Sequence, residues 1–170
     1  MKIGIVGLGF VGLSFASVLG SKGYSVLGFD SDIKKLSMIK KGIPPFYEPE
    51  LETILKSALK KNLRISEELS PIVNKCKLIF LTIGTPQQSN GSIDLSMIKE
   101  AISEIGTLLK RTNNRPIIIV KSTVIPGSTR DILLPILEKK SEKPENILSA
   151  YVLNKYNNLE YWKYSNHKYF

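Results

Sequence analysis

Three glycines and one aspartate carry the clearest chemistry in the chain. Gly7-Leu8-Gly9-Phe10-Val11-Gly12 has the spacing GxGxxG, and Asp30 follows at about the 20-residue interval at which an acid meets a ribose in dinucleotide-binding units. Such a turn suits a diphosphate. Gly7 would permit the tight exit from a strand, Gly9 would let a diphosphate approach the backbone with no Cβ in the way, and Gly12 would let a helix sit close on the strand. The helix start then offers free N–H groups and the positive end of its dipole. Asp30 would accept hydrogen bonds from the adenosine ribose hydroxyls, and its charge would repel a 2′-phosphate, which favours NAD over NADP. The plain alternative is a glycine-rich turn beside a capping aspartate. A hexapeptide of this kind is weak evidence alone, so the case rests on its surroundings.

Those surroundings have the required order. Lys2 to Val6 (KIGIV) reads as a short buried strand, Val11 to Lys22 as a helix stopped by Gly23, and Tyr24 to Asp30 as a second strand, which makes a βαβ unit. Helical periodicity continues over residues 32–41 and 50–61, where Leu51, Ile54, Leu55, Ala58 and Leu59 share one face. A short strand at 63–65 and a helix at 67–74 follow. Leu78 to Ile83 is an almost wholly apolar run, as in a central strand covered on both faces. Residues 84–91 are rich in Pro, Gln, Ser and Asn and form a loop, after which Asp94 can cap a helix carrying Leu95, Ile98, Ile102, Ile105 and Leu109. A strand at 117–120, a helix at 129–139 and a final strand within 147–153 complete the series. The alternation predicts an α/β fold, a doubly wound parallel sheet of Rossmann type in a single domain over residues 1–150.

Composition narrows the remaining possibilities. Hydrophobic residues at 42% and charged residues at 23% are ordinary for a globular domain. The formal charge of +9 could attract a polyanion, but the lysines fall in pairs with no long basic run and no interleaved aromatics, which points away from nucleic acid. No apolar segment approaches the roughly 20 residues needed to span a bilayer, so no membrane role is expected. Cys76, the only cysteine, excludes an internal disulfide framework and leaves the cytoplasm as the expected compartment. Cys76 lies in an apolar neighbourhood and reads as a small hydrophobe rather than a nucleophile. The only histidine, His167, has no Cys, Asp or second His at ligand spacing, so no metal site is expected. Residues 151–170 hold five of the seven tyrosines and the only tryptophan, and beyond Asn154 no periodicity assigns them an element. They read as an atypical tail.

Four segments in order extend this reading: KIGIVGLGFVGL at the start, PFYEPEL at Pro45 to Leu51, IGTPQQSNGSIDLS at Ile83 to Ser96, and KSTVIPGST at Lys121 to Thr129. With these the chain resembles the UDP-glucose, GDP-mannose and UDP-N-acetylhexosamine 6-dehydrogenases over roughly residues 1–148. The resemblance implies NAD as cofactor, with Phe10 and Val11 in the cofactor turn, Asp30 and Lys35 at the adenosine end, and Thr85 and Thr123 beside the nicotinamide. Without it, Lys35 would read as a surface lysine, and Thr85 and Ser122 would be as well explained as turn residues. Ile125 departs slightly from the family, which commonly places proline directly after KSTV.

The resemblance also implies what these 170 residues do not carry. The family oxidises a sugar C6 alcohol to a carboxylate in two hydride transfers through a cysteine nucleophile, by way of a thiohemiacetal and a thioester. The family's NPEFLREG-like segment, catalytic cysteine, central dimerisation helix and sugar-nucleotide domain have no counterpart here. No catalytic residue is therefore expected, and a nucleotide sugar is expected as a partner only where the missing half is supplied. Two readings follow: a shortened dehydrogenase, or a stand-alone NAD-binding or regulatory module. The change of composition after Ser149 favours the first. A sheet face normally covered by the central helix would be left open to association.

Overall fold

The computed structural model describes residues 1–142, 150–153 and 159–162. Its first unit is β1 (Lys2–Val6), α1 (Phe10–Ser21) and β2 (Ser25–Phe29). There follow α2 (Ile33–Lys40), α3 (Leu51–Lys61), β3 (Leu63–Ser66), α4 (Ser70–Lys75) and β4 (Leu78–Leu81). The last described elements are α5 (Ser96–Leu109), β5 (Ile117–Val120), α6 (Leu134–Ser141), β6 (Ala150–Leu153) and β7 (Leu159–Trp162). The strands form one sheet in the order β3-β2-β1-β4-β5-β6-β7. All neighbours are parallel except β6 and β7. The expected doubly wound parallel sheet is what the chain forms, with β4 at its centre.

Two apolar layers hold the helices to the sheet. On one face Ile3, Ile5, Val26 and Leu63 pack against Leu13 and Ala16 of α1, Leu36 and Ile39 of α2, and Leu55 and Ala58 of α3. On the other, Val6, Ile79, Leu81, Ile118 and Val120 meet Ile72 and Val73 of α4, Ile98, Ile102 and Ile105 of α5, and Leu137 of α6. Alternate strand residues thus enter opposite layers, because successive side chains on a strand point to opposite faces. At the centre, Phe80 is only half-buried and meets Phe15 edge-on, with ring centroids 5.0 Å apart. Ile117 and Ile119 beside it are also half-buried.

Some boundaries moved for local reasons. Asp94 accepts the Ser96 N–H at 2.8 Å, so it caps α5 from one residue before the N-cap position. This bond, chiefly, holds its carboxyl below the usual range. The helix expected over 129–139 begins as a wide π turn at Thr129–Leu133 and becomes α-helical from Leu134. Pro135 explains this: it has no N–H for the carbonyl of Asp131, and its ring crowds that carbonyl, so the coil widens ahead of it. The stretch beyond Asn154, to which periodicity assigns no element, contributes β7 through its backbone pairing with β6. The expectation for His167 lies outside the described residues.

Glu50, the N-cap of α3, has φ +65°, a left-handed conformation rare for a residue with a Cβ. Replacing it with glycine removes that strain, and Glu50→Gly is expected to stabilise the fold by about 1 kcal/mol. Thermal unfolding of the two proteins measures this. An unchanged or lowered Tm would mean that the Glu50 side chain offsets its own backbone cost.

Candidate functional site

The glycine turn leaves β1 at the switch point of the sheet, where the neighbours β1 and β4 continue in opposite directions along the sheet. Gly7 has φ +94°, in the region open to glycine, and its N–H donates to the Phe29 carbonyl at 2.8 Å. Gly12 sits so close to the strand that a Cβ there would lie 1.8 Å from the Gly7 carbonyl oxygen and 2.5 Å from Thr82 Oγ1. Thr82 in turn donates its hydroxyl to the Gly7 carbonyl at 2.6 Å, bolting the end of β4 to the turn. Gly9 differs from both: a Cβ there would meet nothing within 4 Å. The space above Gly9 is open, and the N–H groups of Phe10, Val11 and Gly12 have no acceptor among the described residues. An anion seated there would meet several free amides and the positive end of α1.

Asp30 belongs to the same construction. It follows β2, is 7% exposed, and its Oδ2 accepts the Leu8 N–H at 2.7 Å, so the second strand's acid is fastened to the middle of the glycine turn. The same oxygen takes Lys35 Nζ at 2.8 Å, and Oδ1 accepts the Asp32 N–H at 3.0 Å. A carboxylate offers about four acceptor positions. With Lys35 in place, one remains on Oδ1. Lys35 is positioned from α2, whose N-cap Asp32 accepts the Lys35 N–H at 3.1 Å.

On the far side of the switch point, Thr85 donates its hydroxyl to the Thr123 carbonyl at 2.6 Å, which brings these two predicted residues together across β4 and β5. Ser122 is no loose turn residue. It is buried, and its hydroxyl donates to the Ile83 carbonyl at 2.6 Å. Phe10 is exposed and stacks at a tilt on Phe46 of the PFYEPEL segment, with centroids 4.1 Å apart, while Val11 beside it is also exposed.

A cleft of about 430 Å³ runs between the turn, the end of β2 and the end of β4. Gly7, Gly9, Asp30, Lys35, Thr82 and Gly84 border it. The face of α5 formed by Met97, Glu100, Ala101 and Glu104 borders it too. Sequence reasoning missed these α5 residues, although their spacing, i, i+3, i+4 and i+7, marks a single helix face. Cys76 lies away from this cleft, fully buried among Ile72 and Ile79. Burial pushes its thiol up to about 11. Very little thiolate therefore exists at neutral pH, and the thiolate is the nucleophilic form.

The raised thiol pKa has a sign that can be measured. The folded state holds the proton more tightly than an unfolded chain does, so this contribution to stability is complete below about pH 8.5, the usual cysteine value. It is lost as pH rises toward 11. The expected result is a fall in unfolding free energy between those limits that is shallower in Cys76→Ala, and slow thiol labelling of the native protein at pH 8. Rapid labelling without unfolding would contradict the buried position.

The strand order, the glycine turn and the acid fastened to it define a Rossmann dinucleotide-binding domain. Residues 1–157 match the profile described as UDP-glucose/GDP-mannose dehydrogenase family, NAD binding domain. The chain is 36% identical over 148 residues to GDP-mannose 6-dehydrogenase of Pseudomonas syringae pv. tomato, covering 86% of this chain and 34% of that one. Among solved structures, a ternary complex of GDP-mannose dehydrogenase from Pseudomonas aeruginosa superposes with a TM-score of 0.85 at 31% identity, over 89% of this chain and 36% of that one. A UDP-glucose dehydrogenase from Pyrobaculum islandicum gives 0.83 at 28% identity, over 89% and 35%. The chain belongs to the UDP-glucose/GDP-mannose dehydrogenase family, as its NAD-binding domain, and its cofactor is NAD. It spans about a third of the length of the relatives it matches. No helix among the described residues is long and apolar enough to cross a membrane.

Proposed function

We propose that Gly7, Gly9, Phe10, Val11, Gly12, Asp30, Lys35, Thr85 and Thr123 hold NAD. On this reading the chain supplies the cofactor half of a reaction that oxidises the C6 alcohol of a nucleotide sugar to a uronate. The observation that supports it most is the bond from Leu8 N–H to Asp30, which sets a ribose acceptor beside a diphosphate cradle. The open space at Gly9 and the free amides of Phe10 to Gly12 fit the diphosphate. Asp30 Oδ1 has room for one ribose hydroxyl while Lys35 stays on Oδ2, and a second hydroxyl would take the place of Lys35. Thr85 and Thr123, joined across the ends of β4 and β5, border the nicotinamide end. Bound NAD supplies a hydride acceptor.

The oxidation to a carboxylate removes four electrons, and a covalent thiol intermediate holds the aldehyde between its two steps. Cys76 is too deeply buried and too weakly acidic for that task. The nucleotide sugar and the thiol therefore belong with further parts of the enzyme. The chain alone should bind NAD and yet give no increase in absorbance from NADH with UDP-glucose, GDP-mannose or UDP-N-acetylhexosamine. Turnover by these 170 residues would overturn this division of labour.

A further inference from the structure

Phe10 is the first residue of α1, and its N–H is the first of the three amides left free for a diphosphate. Its side chain is 65% exposed, and the one ring it meets among the described residues is that of Phe46, with centroids 4.1 Å apart and planes at 34°. An exposed side chain changes rotamer in picoseconds to nanoseconds, and the first turn of a helix frays readily. A large ring at this position therefore obstructs the anion site unless something holds it aside.

Phe46 is well placed to do so because its own segment is fastened at both ends. Residues 43–50 include Pro44, Pro45 and Pro49, whose rings fix φ. At one end the Ile43 N–H donates to the Met38 carbonyl at 3.0 Å; at the other Leu51 is buried and its N–H donates to the Glu48 carbonyl at 3.2 Å. Phe46 itself is half-buried against the apolar layer that contains Leu13, Leu51 and Leu55. The segment runs into α3, which lies along α1 so closely that a Cβ at Gly20 would stand 3.1 Å from that of Ala58. The two helices are thus joined near the end of α1 by close packing, and the start of α1 is joined to the segment before α3 by the ring pair. Phe46 does not border the cofactor cleft; it borders a separate hollow with Ile43, Pro45 and Tyr47. Its route to a ligand is through Phe10.

We propose that Phe46 is a positioning residue for the cofactor turn: its ring holds Phe10 aside from the space at Gly9 and fixes the first free amides of α1 for the diphosphate. The inference rests on the cofactor site proposed above. Calorimetry with NAD on the whole chain tests it in Phe46→Leu, which keeps apolar bulk against the core, in Phe46→Tyr, which keeps the ring, in Phe10→Ala, and in Phe10→Ala/Phe46→Leu. The strength of an aromatic pair bounds the effect, so the NAD dissociation constant should rise roughly three- to tenfold in Phe46→Leu and stay within about twofold in Phe46→Tyr. With Phe10 already alanine, Phe46→Leu should cause no further loss, whereas a general loosening of the fold would weaken binding equally in both backgrounds. Where Phe46→Leu does not fold, Phe46→Met carries the same comparison. Unchanged affinity in the folded Phe46 variant without the ring, or an undiminished loss when Phe10 is alanine, would overturn the assignment. Unmodified protein that does not bind NAD would overturn the cofactor site itself, and this inference with it.

Discussion

Asp30→Ala should weaken NAD binding at least tenfold and lower the melting temperature by several degrees. The first effect follows from losing a charged acceptor for the ribose, since hydrogen bonds to charged groups contribute about 1.5–3 kcal/mol. The second has a separate origin. Asp30 is 7% exposed and its Oδ2 accepts the buried Leu8 N–H, so alanine leaves that amide without an acceptor inside the turn. An unsatisfied buried donor costs about 1–3 kcal/mol, and Lys35 loses its partner as well. Asp30→Asn separates the two effects, because a carboxamide oxygen can still accept from Leu8 but carries no charge. Calorimetry with NAD should show both variants weakened, while thermal unfolding should show the asparagine variant nearer the unmodified protein. Equal NAD affinity in Asp30→Ala and the unmodified protein would remove the aspartate from the site.

Gly9→Ala and Gly12→Ala should fail in opposite ways. At Gly12 the new methyl would stand 1.8 Å from the Gly7 carbonyl oxygen, a backbone atom that moves only if β1 and α1 separate. Overpacking of this severity costs about 3 kcal/mol or more, so the variant should be poorly soluble or melt far below the unmodified protein. At Gly9 the methyl would meet nothing within 4 Å, and φ −75° suits alanine, so the fold should keep its stability. The methyl would instead stand in the space above the α1 amides, and NAD affinity should fall at least tenfold. The discriminating result is a folded Gly9→Ala protein that does not bind. A Gly9→Ala variant with full affinity would mean that the diphosphate lies elsewhere.

Much of this was open to reading along the chain because its causes are local. A strand, a glycine turn and a helix are written in consecutive residues, and the apolar run at 78–83 could only lie deep in a sheet. The four residues of β7 escaped that reading because so short a segment has no periodicity, and its pairing partner is another strand rather than its own neighbours. The π turn ahead of Pro135 also escaped, although its cause is a single residue. The sequence alone assigns no role to Thr82 and leaves Ser122 as well explained as a turn residue, because the carbonyls they bind, of Gly7 and Ile83, follow strands far away in sequence.

By itself the sequence determined the order of elements, the cradle of glycines and the family, since each depends on residue type at fixed short spacing. The tertiary structure alone decided how charge is distributed around the cofactor cleft. Whether Asp30 faces a ligand as a bare anion depends on Lys35 reaching it, and which face of α5 borders the cleft depends on how that helix lies across the sheet. Electrostatic interaction falls with distance through space, and separation along the chain does not set that distance.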